Sequence, residues 1–190
     1  MAVRRTIYHA EGVYFITFTC FRWLPLIELV NGYDIVYKQF DILQSERHYL
    51  AGYVIMPNHV HCLVAFKNSS KSINNRIGTM KRFMAYEIVR RLVTLNQTKL
   101  LAQLSNAVNN TDRKRGKLHE VFNPSFDWKS CDNEYLIVQK LDYMHENPCK
   151  GKSPLADSPV DYKHSSAYYY ITGIQGLYPV TNYMLLDDIM

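Results

Sequence analysis

The stretch that decides the fold covers residues 50–66 and reads LAGYVIM-PN-HVHCLVAF. It holds two apolar runs, residues 50–56 and 59–66, with only Pro57 and Asn58 between them. Runs of strand-forming residues joined by so short a connection are typical of an antiparallel β-hairpin. We therefore expect two adjacent strands near the middle of the chain.

The segments around this hairpin complete a β-α-β-β-α order. Residues 12–20 carry aromatic and β-branched side chains on both alternating faces, which predicts a strand that is covered on both sides. Apolar residues recur at helical spacing over residues 31–48, with Asn31 as the cap, and again from the cap Ser72 to about Leu92. This order predicts an α+β fold, a ferredoxin-like sandwich of an antiparallel sheet with helices on one face.

After this core, which covers about residues 10–95, the chain divides into three predicted segments. The polar and basic residues 97–117 predict an exposed loop. Residues 132–147 predict a further helix, which ends before Pro148 because the residue that precedes a proline disfavours helical dihedral angles. Residues 151–190 form a tail that mixes turns with tyrosines. All 190 residues are expected to form one domain, a length at which a core needs no disulfide or metal.

The composition excludes several classes of protein. Lys plus Arg number 22 and Asp plus Glu 17, a net charge of +5 that is compatible with nucleic acid but does not require it. With 47% hydrophobic and 21% charged residues the chain is neither disordered nor collagen-like. No apolar run approaches the roughly 20 residues of a membrane-spanning helix. The four cysteines show no paired spacing, so we expect a cytoplasmic protein with reduced thiols.

The residues His59-Val60-His61 lie just after the hairpin turn, within the second predicted strand. Side chains at i and i+2 of a strand point to one face, so both imidazoles are expected to project together, opposite Val60. Two neutral imidazoles on one rigid strand form two thirds of a metal-binding tripod. By itself the pattern is also compatible with two separate histidines on the face of a sheet.

Tyr143 and Asn147 are four residues apart on the last predicted helix, so they share one helix face. A tyrosine hydroxyl is a poor nucleophile at its ordinary pKa of about 10, but it becomes useful when a cation polarises the electrophile, as a divalent metal does for a phosphate. Asn147 offers an oxygen that could complete a metal site with the two histidines. Because the chain has fifteen tyrosines, Tyr143 considered by itself is better explained as a packing residue than as a nucleophile.

Three stretches taken together resemble a known family. Residues 53–64, with Met-Pro-Asn-His-Val-His at their centre, resemble the HUH motif (His, hydrophobic, His) of single-tyrosine transposases. Residues 141–148, Leu-Asp-Tyr-Met-His-Glu-Asn-Pro, resemble the Tyr-Ile-His-x-Asn-Pro block of the REP-associated tyrosine transposase branch. Residues 161–167, Asp-Tyr-Lys-His-Ser-Ser-Ala, resemble the Tyr-x-x-Ser-Ser-Ala element of that branch. The resemblance spans roughly residues 12–170.

This resemblance implies an enzyme that cleaves and rejoins DNA with the help of a divalent metal ion, Mg²⁺ or Mn²⁺. His59, His61 and Asn147 would hold the ion, and Tyr143 would attack a phosphodiester of single-stranded DNA. The implied product is a 5′-phosphotyrosine link with a free 3′-hydroxyl, and rejoining reverses the step. Hairpin repeats are the implied DNA. A monomer, a homodimer with each site in one chain, and a homodimer with exchanged helices all stay open.

The sequence departs from the branch in two places. After Pro148 it reads Cys-Lys-Gly-Lys-Ser-Pro where the branch usually has Val-Arg/Lys-Ala-Gly-Leu-Val. The insertion between Leu92 and His119 is also long. Both places bear on which DNA hairpin is recognised rather than on the chemistry.

Basic residues outside the site are candidates for phosphate contacts with single-stranded DNA. The alternative is that they only form a charged surface in contact with solvent. Of the neighbouring polar residues, His145 is expected to point away from the metal set, whereas His119 and Glu120 could line the site. The candidates for nucleic-acid binding lie at the N-terminus, on the second predicted helix and in the 97–117 loop: Arg4, Arg5, Arg76, Lys81, Arg82, Arg90, Arg113, Lys114 and Arg115.

Two other functions share some of these features. A rolling-circle replication initiator or relaxase uses the same chemistry, but the lack of a tyrosine pair at Tyr143 and the Asn147-Pro148 block argue against it. A nucleic-acid-binding protein without catalysis is the alternative outside the enzymes. The presence of both histidines, the tyrosine and the asparagine favours an enzyme.

Overall fold

The computed structural model describes residues 6–186 of the chain. Four strands form one antiparallel sheet in the order β2-β3-β1-β4. The predicted hairpin is confirmed, because β2 and β3 pair across Pro57 and Asn58, and β3 is buried along its whole length. The strands are β1 Gly12–Thr19, β2 Tyr49–Ile55, β3 His59–Phe66 and β4 Asp127–Ser130.

The described residues also form seven α-helices. They are α1 Leu26–Leu29, α2 Tyr33–Ser45, α3 Ile73–Thr94, α4 Thr98–Asn106, α5 Asn110–Lys114, α6 Glu134–His145 and α7 Ala167–Thr172. The predicted cap of α3 is confirmed, since the Ser72 side chain accepts a hydrogen bond from the Asn75 N–H. Helix α2 begins later than predicted, with Gly32 rather than Asn31 at its cap position.

Helices α2 and α3 pack on one face of the sheet, which confirms the predicted α+β sandwich. Phe40 of α2 and Met84 of α3 bury there against the strand residues Phe18, Val60 and Val64. The last predicted helix, α6, covers the opposite face and forms a third layer. Its apolar side chains pack there against Phe15, Leu63 and Ala65. The side chains of His59 and His61 share this second face.

The structure corrects the expectation of a loop over residues 97–117. Helices α4 and α5 occupy most of this segment. Leu100, Leu101 and Leu104 recur at helical spacing and pack on the core, with Leu104 fully buried. Asn109 caps α5 by accepting a hydrogen bond from the Asp112 N–H. The polar and basic composition of the segment hid this short apolar stripe.

The tail after residue 151 closes the free edge of β2. The Ile55 N–H donates to the His164 carbonyl at 2.9 Å, and the Thr181 N–H donates to the Leu50 carbonyl at 2.9 Å. The hydroxyls of Tyr162 and Tyr170 donate to further β2 carbonyls. Two of the surplus tyrosines therefore satisfy backbone groups that an open edge strand would leave unpaired.

Two features concern the chain as a whole. All four cysteines are free, three of them buried and Cys149 half-buried. Within residues 6–186, none of the helices combines the length and the apolar character that a bilayer crossing demands.

Candidate active site

The four residues predicted to carry the chemistry meet on the face of the sheet that α6 covers. His59 and His61 lie side by side on β3, with ring centroids 4.7 Å apart. The Tyr143 ring lies 5.4 Å from the His61 ring, centroid to centroid. The Asn147 Nδ2 atom donates to His61 Nε2 at 3.2 Å. Residues more than eighty positions apart in sequence are thus assembled by one chain.

Helix α6 is set close to the sheet by a glycine. A Cβ atom added at Gly52 of β2 would lie 2.5 Å from Leu141 Cδ2 and 3.5 Å from Met144 Cε. The missing side chain therefore provides the room in which two buried residues of α6 sit. The start of the helix is fixed by Asn133, whose side chain accepts a hydrogen bond from the Leu136 N–H.

The other end of α6 is fastened through Ser166, in the third stretch that resembles the transposase branch. The Ser166 hydroxyl accepts from the Tyr53 N–H at 2.9 Å and donates to the Tyr53 carbonyl at 3.2 Å. Since its proton is used there, the hydroxyl accepts from His145 Nε2–H at 2.8 Å. His145 therefore points away from the metal set, as predicted, and joins α6 to β2 and the tail.

The orientation of His59 follows from Asn58. The Asn58 Nδ2 group donates to the Trp23 carbonyl, which can only accept, at 3.2 Å. Its Oδ1 atom therefore faces His59 Nδ1 at 2.7 Å and must accept a proton from it. In the neutral imidazole this leaves the Nε2 lone pair of His59 free to bind a metal.

The orientation of His61 follows from Thr17, which lies directly opposite it on β1. Because Asn147 Nδ2 can only donate, His61 Nε2 accepts and carries no proton. The proton is on Nδ1, which donates to Thr17 Oγ1 at 2.6 Å. Phe15 stacks on the same ring at a centroid distance of 5.2 Å. Both histidines thus present an unprotonated Nε2 atom.

Burial keeps these imidazoles neutral. Desolvation lowers the pKa of His59 to about 4. Desolvation, together with the nearby His59 and Lys140, lowers the pKa of His61 to about 3. At neutral pH both rings are therefore in the form that coordinates metals.

The residues of this site fit a divalent metal ion. Among residues 6–186 there is no group of three His, Cys, Asp or Glu side chains placed to hold a metal, so the donors would be two imidazoles and one amide. The Nε2 lone pair of His59 is free, and a half-turn of the Asn147 amide about its terminal bond would release that of His61 and replace Nδ2 with the oxygen donor Oδ1. Two nitrogens and one oxygen suit Mn²⁺, whereas Mg²⁺ prefers an all-oxygen set.

Sequence reasoning missed three residues of this site. Thr17 and Asn58 orient the histidines, and Lys140 lies with its Nζ atom 5.6 Å from the centroid of the Tyr143 ring. The strand pairing needed to find Thr17 is a long-range feature of the fold. Lys140 precedes Tyr143 by three residues, so the helical spacing alone could have placed it on the same face.

A groove of 680 Å³ lies between α3 and residues 115–124. Of the described residues that line it, the ionisable ones are Lys81, Arg82, Arg115, Lys117 and His119, with the aromatic residue Tyr86 among the others. No carboxylate belongs to this lining. The groove wall continues to the active-site end of the sheet, because the Asn123 N–H donates to the carbonyl of Thr19, and Thr19 pairs with His59.

Two of the predicted nucleic-acid contacts are corrected by their surroundings. The Arg76 guanidinium is buried, forms an ion pair with Glu46 and donates to Ser69. The Lys81 ammonium is also buried and donates to the carbonyls of Asn123 and Ser125 at 2.7 and 2.9 Å. The charged groups of both side chains are therefore committed to partners within the fold.

The other predicted contacts differ in how exposed their charges are. Arg90 is exposed but forms an ion pair with Glu87, and Arg113 donates to the Ser105 carbonyl. Arg82, Lys114 and Arg115 are exposed and form no ion pair with a described carboxylate. His119 lines the groove rather than the metal set, and the buried Glu120 binds Lys117 at 2.5 Å. Arg4 and Arg5 lie outside the described residues.

The fold is shared with a transposase of known structure, described as a REP-associated tyrosine transposase bound to a REP hairpin. The two chains are 17% identical and superpose with a TM-score of 0.62, over 94% of this chain and 89% of that one. This similarity confirms the predicted α+β sandwich. A protein described as a transposase of Deinococcus radiodurans is 18% identical, with a TM-score of 0.41 over 77% of this chain and 97% of its own. No protein family and no curated protein sequence matches the chain.

Proposed function

We propose that this protein is a metal-dependent, single-tyrosine nuclease and strand transferase of the HUH type that acts on single-stranded DNA. The observation that carries the proposal is the meeting of Tyr143 and Asn147 with the His59–His61 pair on one face of the sheet. Tyr143 is 47% exposed beside two buried histidines, so a strand in solvent can reach it.

In the proposed reaction the Tyr143 oxygen attacks the phosphorus of a DNA phosphodiester. One P–O bond forms to the tyrosine as the bond to the 3′-oxygen breaks, and the proton lost by the phenol is balanced by the proton gained by the leaving 3′-oxygen. The phosphodiester energy is conserved in the 5′-phosphotyrosine link, so a second 3′-hydroxyl can reverse the step without ATP.

The chain's own groups divide the remaining work. His59, His61 and Asn147 would hold Mg²⁺ or Mn²⁺, which when bound supplies charge stabilisation at the phosphoryl oxygen. Lys140, whose ammonium lies over the rings of Phe15 and Tyr143, adds a positive charge next to the nucleophile. Asn58 and Thr17 keep the imidazoles in the metal-binding tautomer.

The proposed site is complete within one chain. Helix α6, which supplies Tyr143, packs on β2 and β3 of the same sheet that supplies the histidines. A second copy or an exchanged helix is therefore not needed for the chemistry, which favours a site assembled in cis whether the protein is a monomer or a homodimer.

The DNA is proposed to run through the groove beside α3. Arg82 and Arg115 line it with uncompensated positive charge, and aromatic and apolar side chains form its walls. This combination suits an unpaired strand, whose phosphates need cations and whose bases need apolar surface. The structural neighbour is described as bound to a REP hairpin, so a hairpin with single-stranded flanks is the proposed substrate.

A denaturing gel tests the proposal. Incubation of the protein with hairpin DNA, labelled on its single-stranded flanks, and Mn²⁺ or Mg²⁺ is expected to give a covalent protein–DNA band. Tyr143→Phe abolishes the band, whereas Tyr135→Phe, which removes another exposed hydroxyl from the same helix, retains it. A band that persists in Tyr143→Phe contradicts the assignment of the nucleophile.

The non-catalytic alternative predicts a different pattern. Tight binding of the same DNA without any covalent band, over a range of metals and flanking sequences, would identify a nucleic-acid-binding protein on the transposase fold. The unprotonated Nε2 atoms of His59 and His61, with the Tyr143 ring beside them, support the enzyme over this alternative.

A further inference from the structure

Trp23 lies beside the candidate metal site but has no part in the proposed chemistry. Its indole ring meets the His59 ring edge to face, with centroids 5.4 Å apart, and yet the residue is 59% exposed. Tryptophan has a large apolar surface, and leaving most of it in water forfeits the stabilisation that burial provides. An open aromatic face at this position is therefore a feature that a ligand could use.

The turn that presents Trp23 is strained and firmly held. Arg22 and Trp23 have φ angles of 51° and 60°, in the left-handed region that residues other than glycine rarely adopt. The Phe21 N–H donates to the Val121 carbonyl at 2.8 Å, and the Trp23 N–H donates to the Cys20 carbonyl at 3.0 Å. The Trp23 carbonyl accepts from Asn58. Such over-determined strain is typical of ligand sites.

A positive charge accompanies the exposed ring. Arg22 is exposed, and its guanidinium lies 5.2 Å from the centroid of the Phe21 ring. It forms no ion pair with a carboxylate among residues 6–186. An aromatic platform next to a free cation is the pair of groups that binds an unpaired nucleotide, because the ring stacks on the base and the cation pairs with the phosphate.

The position of the turn connects the groove to the active site. On one side the Phe21 N–H is hydrogen-bonded to the carbonyl of Val121 in the groove wall. On the other side the Trp23 ring contacts the His59 ring. The turn therefore lies between the groove wall and the metal site.

We propose that Trp23 stacks on the base of the nucleotide next to the phosphate held at His59, with Arg22 on an adjoining phosphate. This inference rests on the proposed function, since it places single-stranded DNA at the metal site. It adds a base-stacking subsite that tolerates any base, because every base offers a π-face.

Tryptophan fluorescence tests the stacking directly. The chain has two tryptophans, so Trp128→Phe leaves Trp23 as the reporter, and Tyr143→Phe in the same protein prevents cleavage. Titration with (dT)12 is expected to quench the emission, and a twelve-residue abasic strand with the same phosphates is not. Unchanged emission with (dT)12 under conditions where it binds overturns the inference.

Binding affinity supplies the second measurement. In the Tyr143→Phe protein, Trp23→Ala is expected to weaken (dT)12 binding about tenfold and abasic-strand binding much less. Trp23→Phe restores part of the loss, and Tyr8→Ala, which removes another exposed ring, has no effect. Equal losses for both strands, or no loss for either, overturn the stacking. So does an effect of Trp23→Ala on self-association alone, which would identify a protein interface.

These outcomes separate the subsite from the reaction. If Trp23→Ala binds (dT)12 normally while the wild-type protein still forms the covalent band, the stacking is rejected and the nuclease stands. If the wild-type protein forms no band but Trp23 emission is quenched by (dT)12 alone, the nuclease is rejected and the base-binding subsite stands.

Discussion

Thr17 and Asn58 determine which nitrogen of each site histidine carries its proton. Each accepts from an Nδ1–H group, so each leaves an Nε2 lone pair toward the candidate metal position. The His59–His61 pair could be predicted from the alternation of side chains along one strand. Its supporting residues could not, because they depend on the pairing of β3 with β1 and on the turn at Trp23, which precedes Asn58 by 35 residues.

The first prediction concerns Thr17→Val, which keeps the shape of the side chain but removes the acceptor of the His61 proton. Loss of such a supporting hydrogen bond is expected to weaken Mn²⁺ binding about tenfold or more. Isothermal titration calorimetry or Mn²⁺ electron paramagnetic resonance measures it without DNA. The control is Thr79→Val, an exposed threonine on α3. Equal affinities of the two variants would contradict the role of Thr17.

The second prediction separates Arg115 from Arg76. Removal of one phosphate contact to a single strand is expected to reduce the slope of log K against log salt by about 0.7, and we expect this for Arg115→Ala. Arg76→Ala should leave the slope unchanged, but should lower the free energy of unfolding by about 1–3 kcal/mol, because it breaks the ion pair of the buried Arg76 with the half-buried Glu46. The reverse pattern would show that the groove is not the DNA path.

At the level of elements, strong local signals in the sequence were sufficient to predict β2, β3 and α3. The short connection at residues 57–58 and the Ser72 cap are both readable in the sequence, and both are confirmed. Helix α4 was missed because its apolar stripe covers only two turns within a polar, basic segment. The placement of α6 on the face opposite α2 and α3 follows from long-range packing, which periodicity does not encode.

The third prediction tests that placement through Gly52. Gly52→Ala puts a methyl group against Leu141, and overpacking of this kind is expected to lower the free energy of unfolding by about 1–3 kcal/mol. It also moves α6, so the rate of covalent-band formation should fall. Gly78→Ala, in α3 with nothing within 4 Å, should instead stabilise the protein by up to about 1 kcal/mol. Urea unfolding of both variants measures these changes in the free energy of unfolding. Equal changes in the two variants would contradict the close approach of α6 to β2.

At the level of the whole molecule, three buried histidines connect the candidate site to stability. Desolvation lowers the pKa of His59 to about 4, of His61 to about 3 and of His145 to about 4. Two of them are the proposed metal ligands, and the third fastens α6. Protonation of any of them is therefore coupled to loss of the arrangement on which the proposed reaction depends.

The fourth prediction is the resulting pH dependence. Between pH 6.5 and about 4 the unfolded chain binds protons that the folded protein excludes, so the free energy of unfolding falls as the pH falls. Each such histidine contributes up to about 1.4 kcal/mol per pH unit, and none of this loss is present above pH 7. Urea unfolding at pH 7 and pH 5 measures it. His145→Gln, which can still donate to Ser166, should show a smaller loss; an identical loss would contradict its buried neutral state.

The central claim is that Tyr143 is the group to which DNA becomes attached. Peptide mapping by tandem mass spectrometry, on the covalent product treated with protease and nuclease, tests this most directly. The peptide that contains Tyr143 is predicted to carry a nucleotide through its phenolic oxygen, bonded to a 5′-phosphate. A nucleotide on any other residue, or a link to a 3′-phosphate, would contradict the account.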